Sequence, residues 1–184
     1  LLIIFLSTIA CEKNVVPKPR GYFRIEMPEK NYSSYNSDCP FELQVPAYSR
    51  IEIIRESTND SCWFNIAYPR FNAKLHLTYL PIEQNLDTYL EDAYTFAFKH
   101  EMKANAIKRT EFYSEEQKVS ALIYDLKGNV ATSLQFYATD SLNHFLRGAL
   151  YFHNSPNSDS IAPVLDFLRE DLIYLIENIE WEDE

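Results

Sequence analysis

The chain has 184 residues, a formal net charge of -10, and only 3 glycines beside 13 Tyr and 12 Phe. The acidic balance repels phosphate backbones and no cluster of Lys and Arg overrides it, so nucleic acid is excluded as an expected partner. Scarce glycine argues against Gly-rich phosphate loops and fibrous or low-complexity classes, leaving a size that suits one globular domain with a ring-rich core.

The first eleven residues, LLIIFLSTIAC, are an apolar run that ends in small residues and meets Cys11 directly. The run is too short for a permanent membrane span, which needs about 20 residues, and it fits a secretory h-region with its cleavage site. A cysteine straight after Ala10 predicts the bacterial lipoprotein version, with residues 1-10 removed and Cys11 acylated. The sequence starts at Leu1 without Met or a basic n-region and is expected to be clipped at its N-terminus. Thr8 stands where such signals usually carry leucine. With Cys11 lipidated, Cys39 and Cys62 remain as a candidate disulfide in an exported protein, the alternative being two free core thiols. No Cys-x-x-Cys or Cys-x-x-His spacing points to a metal.

Residues 11-35 are expected to form a lipidated, extended tether, broken by Pro17, Pro19 and Pro28, and residues 36-184 a single domain. Within the tether, Arg20, Tyr22, Phe23, Arg24 and Ile25 are too aromatic for a plain spacer and are expected to dock, on their own domain or on a partner. Alternating patterns predict strands at Phe41 to Val45, Ile51 to Arg55, Cys62 to Tyr68 and Lys74 to Leu80. A helix is predicted from an Asn85 cap to Ala104 through Leu86, Leu90, Ala93 and Ala97. Strands are predicted again at Ile107 to Glu115, Val119 to Leu126, Val130 to Thr139 and His144 to His153, the last apolar on both faces and hence covered on both. Ser160 is read as the cap of a final helix, with Pro163 in its first turn and a stripe from Ile161 through Leu168 and Leu175 to Ile179. Four strands, a helix, four strands and a helix predict an α+β fold, a single large antiparallel sheet flanked by two helices. That order resembles the PsbP/Mog1 type of α/β/α sandwich.

Chemistry is hard to place. His100-Glu101 begins a zinc-protease helix motif whose second histidine would fall on Ala104, and His76, His144 and His153 have no mutual ligand spacing. No nucleophile elbow or Walker loop occurs. Asp125, Glu91-Asp92 and Glu115-Glu116 read as solvated charge. No catalytic residue, cofactor or metal site is therefore assigned, and an enzyme is not expected. Aromatic and Arg side chains are enriched at protein interfaces, so Arg20 to Arg24 and the run from Cys62 to Asn72, with Trp63 and Arg70, are the expected partner-binding segments. Trp63 and Phe64 have opposite parities, so at least one ring points inward. An alternative is a small-ligand or glycan site lined by Tyr68, Tyr79, Tyr124 and Tyr137.

Pro17-Lys18-Pro19-Arg20-Gly21-Tyr22-Phe23-Arg24-Ile25, then Cys39-Pro40-Phe41, Cys62-Trp63-Phe64-Asn65-Ile66 and Leu75-His76-Leu77-Thr78-Tyr79 resemble the gliding-motility lipoprotein GldD family of Bacteroidetes. The likeness runs over nearly the whole chain. It implies a non-enzymatic cell-envelope lipoprotein, held in the outer membrane by its N-terminal lipid and facing the periplasm. It also implies a requirement in gliding and in the associated type IX secretion machinery, with other envelope proteins of that apparatus as partners. The family offers no catalytic residues to carry over, only Cys11 and the two later cysteines.

Overall fold

The computed structural model describes residues 25-36, 39-54, 62-99, 104-128, 130-153 and 158-182. In chain order these form strands β1 (Tyr32–Asn36), β2 (Phe41–Pro46), β3 (Arg50–Ile53), β4 (Cys62–Tyr68) and β5 (Ala73–Pro81), with a short 3-10 turn (Pro69–Phe71) before β5. Helix α1 (Leu86–Phe98) follows, then β6 (Ala104–Ser114), β7 (Val119–Gly128), β8 (Thr132–Thr139), β9 (His144–Phe152), helix α2 (Ser158–Glu177) and β10 (Glu180–Trp181).

Seven strands make one antiparallel sheet in the order β3-β4-β5-β9-β8-β7-β6. Period-two alternation sorts its side chains cleanly. Phe64 and Ile66 of β4, Leu75, Leu77 and Tyr79 of β5, Phe136 of β8 and Leu146 and Leu150 of β9 share the inner face, where α2 supplies Leu168, Leu172, Leu175 and Ile176. The opposite, outer face carries Tyr124 and Leu126, covered by Ala97 and Phe98 of α1. Strand β9 is buried from both sides as its doubly apolar pattern requires, with Phe145 against Tyr89 of α1 and Leu146 in the main core. Gly148 of β9 is held to glycine by the core itself, since a Cβ there would lie 2.1 Å from Phe136 Cε1 and 2.9 Å from Leu77 Cδ2.

The α+β class, the two helices and the large antiparallel sheet stand as the sequence leads one to expect, but the large sheet is not alone. A three-stranded sheet, β1-β2-β10, lies against the inner core. Its outer strands escaped the pattern for a physical reason. β1 reads Tyr-Ser-Ser-Tyr-Asn with no buried residue, so its register is set by pairing with β2 rather than by a hydrophobic face. β10 is only two residues long, with Trp181 opposite Phe41. The expected extended tether thus ends in regular structure, and Met27 already packs on the core.

Two helix boundaries also differ. α1 stops at Phe98, and Ala104 opens β6 opposite Gly128, so the apolar spacing through Ala104 belongs partly to a strand. Asn85 occupies the N-cap but its side chain makes no capping bond; its amide donates to the Tyr89 hydroxyl and its Oδ1 accepts from the Glu83 amide. α2 begins at Ser158, which puts Pro163 beyond the first turn.

A disulfide joins Cys39, just before β2, to Cys62 at the start of β4, with Cα atoms 6.0 Å apart. It ties the small sheet to the large one, where the core rings of Phe41 and Phe64 also meet.

Candidate functional site

The outer face of the large sheet is only partly roofed, because α1 lies over β8 and β9 and leaves β4 and β5 open. Register places Trp63, Thr78, Arg147 and Tyr137 in one row across β4, β5, β9 and β8, and Asn65, His76, Ala149 and Gln135 in the next. Where the small Ala149 sits among larger neighbours the face sinks into a pit of about 300 Å³, lined by His76, Thr78, Arg147, Ala149 and Tyr151 and by the backbone of Gly148.

Each wall has a structural origin. Arg147 is half-buried beneath α1, with its guanidinium 4.3 Å from the Phe96 ring centre. Burial works against its charge, and no carboxylate of the described residues forms an ion pair with it; Asp92 on α1 and Tyr151 act on it only through space. His76 meets Tyr151 edge to face at 5.2 Å. The His76 ring is exposed at the mouth of the pit, and partial desolvation, with Lys74 and His153 nearby, lowers its pKa below the ordinary value. Lys74 is itself neutralised by Glu52 at 2.7 Å. Asn65 is buried and its Oδ1 has no partner among the described residues. Trp63 pairs with Thr78 across β4 and β5 and is 39% exposed.

The residues singled out from sequence fall in three groups. Cys11, Arg20, Tyr22, Phe23 and Arg24 lie outside the described residues, as does His100. Trp63 turns outward while Phe64 is buried, which settles their parity. Arg70 is exposed in the 3-10 turn after β4 and Trp63 lies near the start of that strand, roughly 17 Å from its far end. The four-tyrosine site is not formed. Tyr68 and Tyr79 are buried on the inner face, whereas Tyr124 and Tyr137 lie on the outer face beneath α1. Asp125 is also a correction, since it is buried rather than solvated and pairs with Arg169 of α2. Burial pushes its carboxyl above the usual range, only partly offset by Arg169 and Lys108. Beside that pair a second hollow, of about 330 Å³, opens between β7, β8 and the first half of α2.

His153 is exposed at the end of β9, whereas His144 has a structural place. His144 is buried, shares a 3.0 Å hydrogen bond between its Nδ1 and the Tyr79 hydroxyl, and stacks on Trp181 at 5.1 Å. Among the described residues no group of three or more His, Cys, Asp or Glu is placed to hold a metal, and no helix is long and apolar enough to cross a membrane. Sequence pattern alone does not single out Arg147, whose one signal is an arginine inside a largely apolar strand.

Fold and surface together define a disulfide-stapled α+β domain that shows an aromatic and arginine-bearing outer face. Residues 12–181 match the model of the family described as "Gliding motility lipoprotein GldD". The chain belongs to that family, and hence to the gliding motility lipoproteins. No curated protein matches it. Among solved structures it is similar to the solution structure of cyanobacterial PsbP (CyanoP) from Synechocystis sp. PCC 6803, at 12% identity and a TM-score of 0.49, over 84% of this chain and 94% of that one.

Proposed function

We propose that this protein is a non-enzymatic lipoprotein of the outer membrane, facing the periplasm, that serves gliding and the type IX secretion machinery by binding other envelope proteins of that apparatus. Residues 1-10 are a signal removed on export, Cys11 carries the lipid, the segment to residue 35 is the tether, and residues 36-184 are the folded domain. More than one acyl chain on Cys11 gives a stable anchor where a single chain is marginal.

The observation that carries the binding role is the open edge at β3. Ile53 is 71% exposed and Ile54 38%, and Ile54 donates its amide to the Trp63 carbonyl at 3.1 Å, which sets that side chain next to the exposed indole. Ile54 and Trp63 on the outer face, with Ile53 on the inner-face side of the same edge opposite Phe64, are costly to leave in water and have the composition of an interface. Arg70, and Arg20, Tyr22, Phe23 and Arg24 in the membrane-proximal segment, provide further contacts.

Two measurements test this reading. Cys11→Ser is expected to move the protein from the membrane to the soluble fraction, and continued membrane attachment would refute the lipid anchor. Photo-crosslinkers at Tyr22 and at Trp63 are expected to capture envelope proteins of the motility apparatus in living cells. Tyr22→Ala with Phe23→Ala is expected to abolish that capture without lowering the melting temperature; a large loss of stability would show instead that the segment packs on its own domain.

A further inference from the structure

Beyond the edge-strand surface, we propose that the pit around Arg147 is a binding site for a small ligand bearing a single carboxylate. Four features of the geometry converge on that chemistry. First, Arg147 is a half-buried cation with no ion-pair partner among the described residues, in a chain of net charge -10 where carboxylates are plentiful. An arginine fixed on an aromatic ring keeps its planar fork pre-organised for two parallel hydrogen bonds to a carboxylate.

Second, the charge count sets the valence. Arg147 is the arginine among the residues that line the pit, Lys74 beside it is paired with Glu52, and Asp92 and Lys99, near the same arginine and its Phe96 ring, have opposite signs, so the pit offers one net positive charge. That matches a monoanion better than a phosphate dianion. Third, the lining alternates polar and apolar material. Thr78, Tyr151 and His76 line it beside Ala149, and Trp63 is the strand neighbour of Thr78. Fourth, the pit holds about 300 Å³, which is at the small end of ligand sites, and lies on rigid paired strands rather than loops.

The carboxylate has two possible sources, a sugar acid or the free C-terminus of a chain. The test is an NMR titration of the purified full-length protein, its disulfide intact, with D-glucuronate against D-glucose and with N-acetyl-L-alanine against its amide. The Trp63 indole N–H and the Arg147 side-chain signals report on the pit. At least one acid is expected to shift both saturably, while its neutral counterpart does not, and the tighter acid identifies the source. Arg147→Gln is expected to weaken binding at least tenfold. Should that variant not fold, Arg147→Lys and Thr78→Val, each expected to weaken binding about threefold or more, take its place. Absence of binding by either acid, equal binding of the neutral forms, tighter binding of inorganic phosphate, or unchanged affinity in the variants would each overturn the proposal. Because Ile53 and Ile54 are untouched in these variants, capture of envelope proteins through the β3 edge is a separate outcome.

Discussion

Lys30 sets its ammonium 2.8 Å from Asp171 Oδ1, joining the segment before β1 to the middle of α2 across 141 positions of sequence. Asp171 is 1% exposed and also accepts hydrogen bonds from the hydroxyls of Tyr32 and Tyr48. The Lys30 ammonium donates further to the Phe167 carbonyl and lies 4.0 Å over the Phe167 ring centre, while Tyr32 stacks on Tyr174 at 3.8 Å. One carboxylate on α2 therefore holds the incoming chain at the point where a tether would pass into the folded body.

Asp171→Ala would leave the Tyr32 and Tyr48 hydroxyls without their acceptor and take from the Lys30 ammonium its buried partner, leaving it the Phe167 carbonyl and Glu170, and is expected to cost about 3 kcal/mol, read as a lowered denaturation midpoint. Alkali should act on the same cluster. Burial first, and the Asp171 carboxylate second, raise Tyr32 and Tyr48 well above the ordinary tyrosine value of 10.0. A group whose folded pKa is raised contributes stability that is complete below its unfolded pKa and is lost as pH climbs above it. Stability is thus expected to be flat up to about pH 10 and to fall beyond it, with phenolate absorbance from these rings appearing only on unfolding.

Much of this fold is legible in the sequence. Alternating or doubly apolar runs place β2 to β9, and the 3.6 period places α1 and α2, because those elements bury one or two whole faces or pair with strands that do. Pairing partners a long way off in sequence set β1, β10 and the boundary between α1 and β6. β1 has no apolar stripe of its own, α1 gives way to β6 through partners on β7, and the turn that makes Trp63 outer and Phe64 inner depends on which face α2 covers. Arg147 and His76 were visible as residue types, but their meeting requires β5 and β9, about seventy positions apart, to become neighbours. The Cys62 to Asn72 run did contain an exposed aromatic, and alternation alone left open which one.

The disulfide links the two sheets over a separation of 23 residues. Cys39→Ser with Cys62→Ser is expected to remove about 3 kcal/mol of stability by the chain-entropy account, measured by denaturant unfolding with and without reductant. In the double variant, added reductant should then change nothing.

Asp125 and Arg169 make opposite predictions about their two halves. Burial raises the Asp125 carboxyl above its usual 3.8, so the stability associated with its neutral form is complete below that pH and is lost as pH rises through the folded value. Asp125→Asn is therefore expected to be neutral or stabilising at pH 7, and to bring no gain at pH 3. Arg169→Met leaves a buried carboxylate unpaired and is expected to cost about 2 kcal/mol, less than for a fully enclosed pair because the arginine is part-exposed. Thermal melts of both variants at the two pH values check this.

Exposed Ile53, Ile54 and Trp63 at the β3 edge carry the claim that this lipoprotein works by binding partners. The most direct measurement replaces the native copy in a gliding cell by Trp63→Ala with Ile54→Glu and follows colony spreading and protein export together. The variant is expected to fold, with a melting temperature within a few degrees of the parent, and to accumulate normally while gliding and export are both lost. Normal gliding by cells that hold the folded variant at parental levels would contradict the account.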